Sequence, residues 1–168
     1  MINDAIQEIR VRAEILQNRA QAHHHTSLQR FRGVPDFDPA NIRRRDCLLV
    51  IAKEMGFLNW PHAKRVLSGE ETRDFGGLLC PRKCGGHFNL WYKTHAEADA
   101  IRRERGGYVL AFRQQFLVVE RPYIETLGLD PDDPDWLALG FDWRGGPAAV
   151  RARLYSKLLD TLPREMEG

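Results

Sequence analysis

The sequence predicts an α+β protein: an N-terminal helical bundle, then a small antiparallel or mixed sheet covered by one helix, then a C-terminal helix. Three observations predict it. Apolar residues recur at spacings of three and four through residues 1–70, the signature of amphipathic helices. Beyond residue 75, short runs rich in aromatic and β-branched residues flank one further helical stretch, in the order strand, helix, strand, strand. A last apolar stripe, Val150, Leu154, Leu158 and Leu159, is again helical.

Each element has its own warrant. Ile6, Ile9, Ala13, Leu16 and Ala20 share one helical face over residues 3–24, with Asn3 or Asp4 as the cap. Leu28 and Phe31 continue the apolar surface into the breaker Gly33-Val34-Pro35-Asp36. Asp38-Pro39 is placed to open a helix over residues 40–55 that buries Ile42, Leu48, Leu49, Ile51, Ala52 and Met55, and Gly56 closes it as the C′ glycine. Asn59 caps a third helix from Trp60-Pro61, which faces Ala63, Val66 and Leu67 inward and stops at Ser68-Gly69. The polar tract 69–74 reads as a connector.

In the second half, residues 88–92 have strand character, Thr94 and Glu97 form a capping box for a helix to Arg105, and Gly106-Gly107 ends it. Residues 108–112 and 116–119 are strands about a turn at Arg113-Gln114-Gln115. A short helical turn over 122–129 leads to the aspartate-rich loop 130–135, whose last aspartates cap a helix near Trp136, and residues 148–162 form the final helix. The expected organisation is a helical module over 1–70 and a small α/β module over 75–168, with one shared core as the alternative.

Composition narrows the function classes. The chain of 168 residues carries 25 basic and 23 acidic side chains, a net charge of +2, so wrapping nucleic acid is not its expected main task. The apolar share of 43% is that of an ordinary globular protein. No apolar run approaches the roughly 20 residues of a bilayer span, and the N-terminus lacks a basic start followed by an apolar stretch. Three cysteines do not make a disulfide scaffold, which sets a reducing cytoplasm as the expected location.

The run from Arg43 to Leu67, with Ala52-Lys53-Glu54-Met55-Gly56-Phe57-Leu58-Asn59-Trp60-Pro61 at its centre, resembles a helical module of bacterial proteins. That module precedes ankyrin repeats in some chains and is similar to a short domain labelled glyoxalase-related in others. The whole chain resembles a group of bacterial proteins joining this module to segments like Cys84-Gly85-Gly86 and residues 127–136. The resemblance implies a helical first half and no particular activity. Metalloglyoxalase folds need paired βαβββ units, and the strand order here supplies at most one.

Four constellations are candidates for chemistry. Cys80, Cys84 and His87 offer two thiolates and an imidazole at a zinc-knuckle spacing, with His95, His62 or the tract His23-His24-His25 as the fourth ligand. The same cysteines lack the two-residue spacing of thioredoxin-like redox motifs. Residues 43–67 have a helix-turn-helix character, with Arg43, Arg44, Arg45, Lys64 and Arg65 as phosphate contacts, yet His62 and Arg65 fall where that motif buries apolar residues. The loop 130–135 lacks the glycine and distal glutamate of a calcium loop. No nucleophile elbow, phosphate-cradling glycine loop or HExxH helix is present. Trp91, Tyr92, Tyr108 and Phe116 are candidates to line a groove of the sheet.

The leading expectation is therefore a non-catalytic binding or regulatory protein of the bacterial cytosol. Its α/β half would present the surface to a protein or small-molecule partner, with function near residues 80–120. A pocket gathering Cys84, His87, Tyr108, Arg113 and Gln115 would count against it. The alternatives are a zinc-binding domain or small metalloenzyme built on Cys80, Cys84 and His87, and a DNA-binding regulator using residues 43–67.

Overall fold

A computed structural model describes residues 4–164, and Asn3, one of the two expected caps, lies outside the described residues. The chain runs α1 (Asp4–Gln21), α2 (His25–Gln29), α3 (Arg44–Glu54), α4 (Trp60–Leu67), β1 (Leu90–Tyr92), α5 (His95–Arg105), β2 (Tyr108–Phe112), β3 (Gln115–Val119), α6 (Arg121–Leu127), α7 (Pro134–Leu139) and α8 (Ala148–Asp160). The α+β class is the predicted one. The sheet is antiparallel, in the order β1-β3-β2. Among the described residues no helix is long and apolar enough to cross a membrane.

Local chemistry sets the boundaries. The helix expected over 40–55 starts at Arg44 instead. The Asp38 carboxylate accepts the Ala40 N–H (2.9 Å) and its carbonyl accepts the Asn41 N–H (3.0 Å), which spends residues 38–41 in a turn. Asp46 then accepts the N–H of Arg43, the capping-box arm that fixes the later start. Asn59 caps α4 as expected, its Oδ1 accepting the His62 N–H at 2.9 Å. The strand expected from residue 88 begins at Leu90, because β3 offers partners only to Leu90, Trp91 and Tyr92. Phe88 is left 90% exposed.

Buried side chains from both halves form one contiguous core. α1 and α4 pack against α8, so the last helix completes the bundle begun by the first. Under the sheet lies a chain of aromatic contacts, Tyr108 on Trp136 (5.0 Å), Trp136 on Trp143 (5.8 Å) and Trp143 on Tyr155 (5.0 Å). Each polar tip is satisfied: Tyr108 donates to the Pro131 carbonyl, Trp136 to the Asp130 carbonyl and Trp143 to the Tyr155 hydroxyl.

Two buried arginines join segments far apart in sequence. Arg12 of α1 donates to the carbonyl of Leu159 in the last turn of α8 and to those of Leu162 and Pro163 just beyond it, which ties the two chain ends together. Arg151 of α8, only 4% exposed, donates to the carbonyls of Gly69, Trp143, Arg144 and Gly146. Burial holds both guanidinium pKa values below the ordinary one, and for Arg12 the nearby Glu8 opposes that fall. The planar five-donor fork suits this work, since one side chain can serve several carbonyls.

Candidate functional site

The site is organised by the tip of the β2–β3 hairpin. Phe112 pairs with Gln115, which leaves Arg113-Gln114 as a two-residue loop. Such loops need positive φ, normally supplied by Gly, Asn or Asp, yet here Arg113 adopts φ +53°. A non-glycine residue held there costs on the order of 1 kcal/mol and persists only where neighbours over-determine it. The neighbour is the connector: Phe75 N–H donates to the Arg113 carbonyl (2.9 Å), and Arg113 N–H donates to the Gly76 carbonyl (2.8 Å).

The same connector grips the joint between α3 and α4. Gly77 N–H donates to the Gly56 carbonyl at 2.9 Å. Gly56 has φ +88°, and a Cβ on it would sit 2.9 Å from the Gly77 Cα. His62, 1% exposed, accepts the Leu58 N–H at Nδ1 and donates from Nε2 to the Asp74 carbonyl (2.7 Å). With Nε2 as the donor, both ring nitrogens are satisfied in the neutral tautomer. Joint, connector and hairpin tip are thus one locked seam.

Two clefts open along this seam, and Gln114 lines both. The first, of about 610 Å³, lies between the joint and the tip, with Lys53, Leu58, Phe112, Arg113 and Gln115 in its walls. Its apolar part is continuous with open surface. Leu58 is 62% exposed, and Phe112 meets the edge of Trp91 (5.8 Å), itself 46% exposed. The Arg113 guanidinium lies 5.3 Å from the Phe112 ring. Asp74 is the one carboxylate in these walls, and its Oδ1 is engaged by the Gly76 N–H.

The second cleft, of about 530 Å³, is lined by Thr72, Arg73, His95, Ala96, Gln114, Phe116 and Arg144, with no carboxylate among them. His95 Nε2 is 2.7 Å from Asp142 Oδ2 behind the wall. The other Asp142 oxygen accepts the Arg144 N–H. Glu71 is likewise occupied, by the N–H groups of Thr72 and Arg73 and by Arg65. Burial pushes the Glu71 pKa up, but these hydrogen bonds outweigh it and hold the carboxyl below the usual range.

The charge distribution follows. Several exposed cations are paired, as in Arg30–Glu54, Arg121–Asp132, Arg153–Asp135 and Arg164–Glu8. Lys53, Arg73, Arg113 and Arg144 have no carboxylate partner among the described residues, and all four lie along the seam.

The zinc expectation finds no support in the arrangement of these side chains. Among the described residues no three His, Cys, Asp or Glu side chains come together in a group that could hold a metal ion, so Cys80, Cys84 and His87 do not make a donor set. Cys84 is buried, which pushes its thiol pKa up. His87 Nε2 instead bonds Thr126 Oγ1 at 2.8 Å and its ring lies on Tyr123. Four of the fourth-ligand candidates are engaged elsewhere: His62 by Leu58 and Asp74, His95 by Asp142, His24 by Thr26, and His25 by Gln29.

The other sequence candidates also take definite places. Arg43 and Arg45 lie against Asp46, Arg44 against Glu14 and Arg65 against Glu71. Of the pocket set, Arg113 and Gln115 meet in the first cleft, while Cys84, His87 and Tyr108 stand outside it. Trp91, Tyr92, Tyr108 and Phe116 do not line one groove: by register Trp91 and Tyr108 take one face of the sheet, Tyr92 and Phe116 the other. Sequence reading missed Lys53, Arg73, Asp142 and Arg144. The one signal for the site was a hairpin turn written Arg-Gln where Gly or Asn is the usual choice.

No protein-family model, curated protein or solved structure matches this chain.

Proposed function

We propose that this protein is a non-catalytic binding protein that takes an acidic segment of a partner protein, with an apolar anchor residue, into the cleft between the α3–α4 joint and the hairpin tip. One observation carries the reading. Exposed Leu58 and half-buried Phe112, which carries on to exposed Trp91, share the cleft with two cations, Lys53 and Arg113, that have no carboxylate partner among the described residues. Apolar area supplies affinity, and the cations steer the encounter and fix which partner is accepted. The strained turn at Arg113 fits a surface shaped ahead of binding, because order already present in the free protein is not lost on association.

The seam draws on Lys53 and Leu58 as well as on residues 108–119, so the binding surface reaches beyond the α/β half. A peptide-display selection on the immobilised protein tests the reading. Enrichment of sequences combining Asp or Glu with a neighbouring Leu, Phe or Trp supports it. Enrichment of basic or purely polar sequences, or none above a Leu58→Asp control, contradicts it.

A further inference from the structure

We infer that the second cleft is an oxyanion site that takes the phosphoryl group of a phosphate monoester. Its walls bring together the side chains of Arg73, His95, Thr72, Gln114 and Arg144, all donors, with no carboxylate in the lining. Of the acids close to these residues in sequence, Glu71, Asp74 and Asp142 are turned to other donors. An anion entering the cleft therefore meets guanidinium groups whose hydrogen bonds are not already spent on a protein carboxylate. Arginine forks match the oxygens of phosphate in paired hydrogen bonds, which makes such contacts stronger than those of neutral donors.

The His95–Asp142 contact gives the site a further element. Asp142 Oδ2 lies 2.7 Å from His95 Nε2 and holds the imidazole in place at the cleft wall. α5 begins at this wall, and its dipole adds potential of the same sign. A volume of about 530 Å³ exceeds the needs of phosphate alone and leaves room for an organic remainder against Phe116. The shared chemistry is the phosphoryl group, whether free or esterified.

The inference does not rest on the peptide-binding reading, and one experiment keeps the two apart. Inorganic phosphate, then phenyl phosphate, is titrated at constant ionic strength into the full chain while the imidazole C–H signals are followed by NMR. The His95→Gln variant assigns the His95 resonance among the six histidines. The expected result is a saturable shift of His95, absent with chloride, whose midpoint weakens roughly tenfold in Arg73→Gln and again in Arg144→Gln. Both positions are exposed, so the variants fold, and thermal unfolding checks it. Tighter binding of phenyl phosphate identifies an ester ligand, equal binding identifies free phosphate, and either outcome supports the site. A His95 response equal to that in chloride, or one unchanged in the double variant Arg73→Gln/Arg144→Gln, overturns it. A titration that survives Lys53→Glu/Arg113→Glu while peptide binding fails separates this site from the first cleft.

Discussion

The N–H of Gly77 donates to the carbonyl of Gly56 across 2.9 Å, and this contact sets the connector against the α3–α4 joint. Gly56 is needed there twice, for its φ of +88° and because its missing Cβ would lie 2.9 Å from the Gly77 Cα. Gly56→Ala is therefore expected to cost roughly 1–3 kcal/mol. In a chain of this size that lowers Tm by about 2–4 °C per kcal/mol, which a thermal melt reads directly. An unchanged Tm would mean that the joint relaxes without loss.

Arg151→Met removes the donor that serves the carbonyls of Gly69, Trp143, Arg144 and Gly146 at a buried position. Burying unpaired carbonyls makes the expected loss on the order of 2–4 kcal/mol in urea unfolding. Arg151→Lys is expected to recover only part of it, because an ammonium cannot span several acceptors as a planar fork does.

Asp135 is buried between Arg153 (2.6 Å) and Lys157 (2.8 Å), and the Arg153 hydrogen bond leads the effects that outweigh burial and hold its pKa below the ordinary aspartate value. A depressed folded-state pKa means that the unfolded chain binds the proton first. Its stabilisation is thus complete above about pH 4 and is lost as pH falls through the lower folded value. Urea midpoints measured from pH 6 down to pH 2.5 are expected to fall less steeply in Asp135→Asn than in the natural chain.

The cysteines are expected to differ in reactivity. Cys47 is fully buried, and burial, with Asp46 beside it, pushes its pKa up to about 11. Cys84 is also buried, whereas Cys80 is partly exposed. With iodoacetamide at pH 8, mass spectrometry of the folded protein is expected to show Cys80 modified first and Cys47 last. Early labelling of Cys47 would place it outside the core.

Much of this architecture is legible in the sequence because one residue decides each boundary. Asn59 before Trp60-Pro61, Thr94 before Glu97 and Gly56 after Met55 act within a single turn, and the structure uses each as chain-local chemistry requires. The late start of α3 was hidden because Asp38 closes a turn as readily as it caps a helix. Arg12 and Arg151 sit within apolar helical stripes, at positions that usually mark solvent-facing charge, and only the assembled fold brings carbonyls to them.

The site was less legible for a related reason. Lys53, Arg73, Arg113 and Arg144 are separated by long stretches of chain, and the backbone bonds Phe75–Arg113 and Gly77–Gly56 collect them on one seam. Cys80, Cys84 and His87 gave the opposite case, a compact motif whose spacing suits a metal while its side chains turn to Tyr123 and Thr126. Spacing sets what is reachable, and packing decides what is met.

The most direct test of the binding surface is the affinity of a display-selected acidic peptide, measured by fluorescence anisotropy for the natural chain and for Lys53→Glu/Arg113→Glu. Both side chains are exposed and have no carboxylate partner among the described residues, so the double variant is expected to keep its Tm. Peptide affinity is expected to fall by about a hundredfold, with most of the natural chain's salt dependence lost. Equal affinity for the two proteins, at unchanged Tm, would contradict it.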